Sequence, residues 1–161
     1  MKTDFETELV RNTAFGAVAL WRFARSWVDQ AGRDSAPPLT ALMLVMPMVC
    51  HEATVKAIAN RNRDGALFKA IAEDRTVALG LQRRVESYAS RTFRSLNLAV
   101  AANLVTLDRS AGVRVKPIRA AQPFEFPSEE ATDAIKASDR LGHSLSLTGL
   151  ETAYSLLGVR F

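Results

Sequence analysis

From Pro38 to Cys50 the chain runs almost without polar side chains: Leu39, Ala41, Leu42, Met43, Leu44, Val45, Met46, Met48 and Val49, interrupted by Pro47. A helix needs about 20 such residues to cross a bilayer, so this run is too short to span one. Burial inside a protein is the other way to take it out of water, so the rest of the fold has to surround it. Pro47 lacks a backbone donor and its ring crowds the carbonyl one turn earlier, so a kink or break is expected near it. Glu52–Asn60 should resume as a more amphipathic helix.

A chain of 161 residues buries roughly 70% of the surface it exposes when unfolded, enough for one core without disulfides or metals. Its single cysteine, Cys50, excludes an intramolecular disulfide. We expect a single domain over 1–161, with a helical core at 12–60, helices and a β-hairpin at 64–119 and C-terminal helices at 128–158. With no charged-then-apolar leader at Met1–Glu8, a cytoplasmic protein is expected.

Helical periodicity is clearest from Asn12 to Gln30. Phe15, Val18, Ala19, Trp21 and Val28 recur on one side, and Arg22, Arg25, Ser26 and Asp29 on another. Asn12 or Thr13 supplies the cap and Gly32 the stop. A polar turn at Arg61–Gly65 precedes a short helix ending near Glu73, and two further helices are expected at Thr76–Tyr88 and Ser90–Asn103. Leu104–Leu107 and Val113–Lys116, joined by a turn at Asp108–Gly112, have the pattern of a β-hairpin. Ala120–Pro127 should cross the surface in extended form, pinned by Phe124 and Phe126. Ser128 opens a helix expected to end at Gly142, and Thr148 with Glu151 has capping-box spacing before a last helix stopped by Gly158. The fold class is mainly α (α+β): a compact helical domain with a winged-helix-like helix–helix–hairpin segment. Trp21, Leu42, Val45 and Phe68 are expected in its core.

Catalytic signatures are missing. His51-Glu52 begins like a zinc-protease helix without the second histidine, and the adjacent Cys50 and His51 diverge by about 100° on a helix. Asp139 and His143 have the spacing of a helix-end charge pair, with Ser144 and Ser146 nearby. There is no phosphate-binding loop, dinucleotide fingerprint or metal-ligand cluster, so no enzyme, no cofactor and no bound metal are expected.

Charge is informative because it is segregated. The whole chain is +4, but residues 53–124 hold 13 basic and 5 acidic residues, and the flanks offset them with 8 basic and 12 acidic. Arg109, Arg114, Lys116 and Arg119 lie in or beside the hairpin, with Arg83, Arg84, Arg91 and Arg94 in the helical sequence before it. The first four are the candidate contact residues, for DNA backbone or for an acidic partner surface. A solvated basic face is the plain alternative.

Four segments carry a family resemblance: Arg11-Asn12-Thr13-Ala14-Phe15 leading into Leu20-Trp21-Arg22-Phe23; Leu44–His51; Ser95–Leu107; and Ala153–Arg160, with its closing Leu-Leu-Gly-Val-Arg. The chain resembles the middle component of bacterial three-component ABC-ATPase systems. The resemblance implies a non-catalytic adaptor that links an SMC/Rad50-like ATPase to an effector, a nuclease by expectation, in Lamassu-type antiphage defence. The competing reading is an autonomous winged-helix DNA-binding regulator.

Overall fold

The computed structural model describes residues 12–119, 123–126 and 128–161. The apolar run lies at its centre, where Leu42, Leu44, Val45, Met48 and Val49 are fully buried. Two short helices form from it, α2 (Leu39–Leu42) and α3 (Val45–Val49). Pro47 sits in the first turn of α3, where an amide has no intrahelical partner, so the break falls one turn upstream at Met43 and Leu44. The chain then bends by 101° into α4 (Glu52–Ile58), and no single helix among the described residues is long and apolar enough to cross a membrane.

Against this centre packs α1 (Thr13–Ala31). The Asn12 side chain accepts the Phe15 amide at 3.0 Å, and Gly32, at φ +91°, closes the helix by donating its amide to the Val28 carbonyl at 2.8 Å. Beyond a polar turn comes α5 (Ala66–Glu73). Its inner face is Ala66, Leu67 and Ala70, so Phe68, expected in the core, flanks that face and is only partly buried. Trp21, Leu42 and Val45 are buried as expected.

The two helices expected at 76–88 and 90–103 are one, α6 (Leu81–Ala101). Nothing at Ala89-Ser90-Arg91 breaks a helix, since an interior serine costs only a few tenths of a kcal/mol. The start moves because Asp74 accepts the Thr76 amide at 2.9 Å, making a 3-10 turn at Arg75–Val77 instead of a helix. The helix–helix–hairpin order is kept, with α5 and α6 as its helices.

Strands β1 (Val105–Asp108) and β2 (Arg114–Pro117) pair antiparallel, with Thr106 opposite Lys116 and Asp108 opposite Arg114. Val105 and Val115 face the core. The hairpin is tied to the segment before α2: Leu39 donates its amide to Val113 and Val115 to Pro37, each at 2.9 Å.

Phe124 and Phe126 pack edge-on against Trp21 and Phe15, with ring centroids 5.4 and 6.3 Å apart. Residues 120–122 and 127 of the expected crossing, and residues 1–11, lie outside the described residues. After the Ser128 cap, α7 (Glu129–Leu147) runs past Gly142. That glycine is a contact point instead of a stop: a Cβ there would lie 2.3 Å from the Phe23 carbonyl oxygen of α1. The Thr148–Glu151 capping box does not form, because the Thr148 hydroxyl turns back to the Ser144 carbonyl. Gly149 precedes α8 (Leu150–Leu157), and Gly158 ends it at φ +67°.

Candidate anion-binding groove beside the hairpin

The four basic residues singled out in the sequence do not form one patch. Arg109 is exposed at the hairpin turn and Arg119 is exposed beyond the opposite end, past β2. Between them, Arg114 donates to the Ala36 carbonyl at 2.7 Å and holds the hairpin to the segment before α2. Lys116 reaches diagonally across the hairpin to Asp108, at 2.7 Å. Asp108 is held well below the usual carboxylate range, first by that ammonium and then by the Ser110 amide and hydroxyl.

Lys116 and Arg119 do meet other cations, Arg25 and Arg33, from a part of the chain 83 to 94 positions earlier. A groove of about 760 Å³ between the end of α1 and β2 is lined by Arg25, Asp29, Arg33, Thr106, Lys116 and Arg119. Arg25 is partly answered by Asp29 at 3.4 Å, one helical turn on. Arg33 and Arg119 have no carboxylate partner among the described residues. The groove therefore presents two open guanidiniums beside two compensated cations, an arrangement suited to phosphate or carboxylate oxygens.

Arg25 and Arg33 were not singled out in the sequence. The available signal was Arg22, Arg25 and Asp29 on the polar face of the first helix, followed by Arg33 just after its Gly32 stop. Nothing local says that a hairpin lies beside them. The arginines of α6 are elsewhere: Arg84 donates to the Val77 and Leu79 carbonyls, Arg91 lies over the Tyr88 ring at 5.5 Å, and Arg83 and Arg94 are exposed.

The remaining candidates are structural. Cys50 is buried and His51 Nδ1 bonds the Thr54 hydroxyl at 2.8 Å. The Asp139–His143 pair suggested by their spacing does not form. His143 Nε2 contacts Asp64 at 2.8 Å, and Asp139 is instead held by arginines: Arg63 at 2.9 Å, Arg22 at 3.1 Å and Arg140 at 3.8 Å. Among the described residues no three His, Cys, Asp or Glu side chains are grouped to hold a metal.

The family model of the ABC-three component (ABC-3C) system Middle Component 3 matches residues 1–161. The chain belongs to that family. Membership in a multi-component ABC system implies ABC ATPase components as partners. No curated protein and no solved structure shows a significant match to the chain.

Proposed function

We propose that this Middle Component 3 chain is a non-catalytic, cytoplasmic adaptor that joins an SMC/Rad50-like ABC ATPase to a nuclease effector in a bacterial antiphage defence complex. The match of the whole chain to the middle-component family carries the reading. The groove supports it, because Arg33 and Arg119 offer open guanidiniums to an acidic surface while Arg114 and Lys116 serve the chain's own fold.

Co-expression of the chain with its ATPase and effector components, followed by affinity capture and mass measurement, tests the adaptor role. The expected result is one assembly containing all three, with no ATP hydrolysis or nuclease activity from the purified chain alone. An ATPase and effector that associate equally well without the chain would overturn it.

A further inference from the structure

We propose that a second site, the pocket between α1, α7 and the 123–126 strap, binds a small free carboxylic acid with an apolar body. The pocket encloses about 590 Å³, within the range of roughly 300–1,000 Å³ usual for small-molecule sites. It is separate from the groove beside the hairpin, and the proposal does not depend on the adaptor role.

Its apolar walls are Val18 and Trp21 of α1, Ile135 of α7, and Phe124 and Phe126 of the strap. Trp21 is suited to an apolar neighbour because its one polar atom is already engaged, donating to the Ile118 carbonyl at 2.6 Å. Phe124 stands edge-on to the indole and remains about four-tenths exposed, so among the described residues this part of the wall is left open.

The charge sits at one side of these walls. Asp139, 5% exposed, is a single carboxylate contacted by three guanidiniums, those of Arg22, Arg63 and Arg140. Arg22 lies 3.1 Å from it at Nε, and neither terminal amino group of Arg22 makes a hydrogen bond among the described residues. Arg140 uses Nε on the Arg61 carbonyl and Nη1 on Asp139 and the Lys136 carbonyl, which leaves Nη2. Lys136 completes the cationic side; its contact with Asp133, at 3.3 Å, is a solvent-exposed pair that exchanges readily. Three cations of the lining thus face Asp139, whose oxygens are already occupied, and the exposed Glu125 of the strap. A carboxylate on an apolar body satisfies these donors while its hydrocarbon covers the exposed part of Phe124 beside Trp21. A neutral apolar molecule would leave those donors as they are, and a bare anion would leave Phe124 in water.

Decanoate, decanol and acetate, titrated separately into the full chain and followed by calorimetry and tryptophan fluorescence, test the site. Decanoate is expected to saturate with one site per chain, decanol to bind at least tenfold more weakly, and acetate not to saturate. Lys136→Glu, on an exposed position, is expected to weaken decanoate at least tenfold and to leave decanol unchanged, with thermal melting confirming the fold. Arg33→Glu, in the other groove, should leave decanoate binding intact. Equal affinity for decanoate and decanol, no saturable decanoate binding, or decanoate binding indifferent to Lys136→Glu in a folded variant would each overturn the proposal. The decanoate–decanol comparison uses the unaltered chain and so does not depend on any variant folding.

Discussion

At the scale of single residues, two side-chain choices set how α1 and α7 meet. Gly142 lets α7 approach the backbone of α1, and the added methyl of Gly142→Ala would meet the Phe23 carbonyl oxygen at 2.3 Å. Backbone cannot rotate away as a side chain can, so the helices must separate; the expected loss is about 1–3 kcal/mol in denaturant unfolding. Asp139 joins the same two helices to the turn after α4, since Arg63 binds both its carboxylate and the Ser26 hydroxyl, and Ser26 donates to the Asp139 carbonyl at 2.7 Å. Asp139→Ala leaves three guanidiniums around an empty position. The expected cost is about 3 kcal/mol, the low end for a broken buried pair because Arg22 and Arg63 remain more than four-tenths exposed. A loss under about 0.5 kcal/mol, the range of ordinary surface changes, would show that water replaces this network without penalty.

At the scale of elements, the broken apolar run and the hairpin illustrate two kinds of stabilisation. Leu42, the last residue of α2, is fully buried, so Leu42→Ala is expected to cost about 2–5 kcal/mol in chemical denaturation. The hairpin is held by cross-strand and docking contacts, and one of them depends on pH. The folded Asp108 carboxyl is held below its ordinary range, so its contribution is fully present above about pH 4, the unfolded value. It is lost as pH falls through the folded value. Carboxyl titration by NMR should show Asp108 ionised well below the usual carboxylate range, and Lys116→Met should move it back up. An Asp108 that titrates at the ordinary value would mean that the Lys116 contact does not form in solution.

At the scale of the whole molecule, the groove makes the test of surface charge sharper. Reversing Arg109, Arg114, Lys116 and Arg119 together would also remove the Arg114–Ala36 and Lys116–Asp108 contacts, confusing loss of fold with loss of binding. Arg33→Glu with Arg119→Glu alters only the open cations. The variant is expected to melt within a few degrees of the unaltered chain and to lose one association. If that association is with DNA, binding will weaken with salt and the slope will fall in the variant; if it is with a protein component, capture of that component will drop while DNA binding holds. Retention of both would leave the groove a solvated basic face. Features set by neighbours along the chain were legible in advance: the Asn12 and Ser128 caps, the Gly32 and Gly158 stops, the break near Pro47 and the β-hairpin, because capping, proline sterics and alternation act over a few residues. Ser90 and Gly142 misled for a reason at the same scale, since serine and glycine serve both helix ends and helix interiors, and packing decides between them. Partner choice among charges was not local at all. His143 pairs with Asp64, 79 positions away, although Asp139 lies one turn before it, because Arg22, Arg63 and Arg140 occupy that carboxylate. Arg25 and Arg33 likewise join Lys116 and Arg119 only once Trp21, the Pro37 carbonyl and the hairpin have docked. The sequence by itself determined where most of the helical segments lie, which segments are apolar and where basic charge is concentrated. Tertiary structure decided which of those charges face one another, because Coulomb and hydrogen-bond contacts act over a few ångströms in space whatever their separation along the chain.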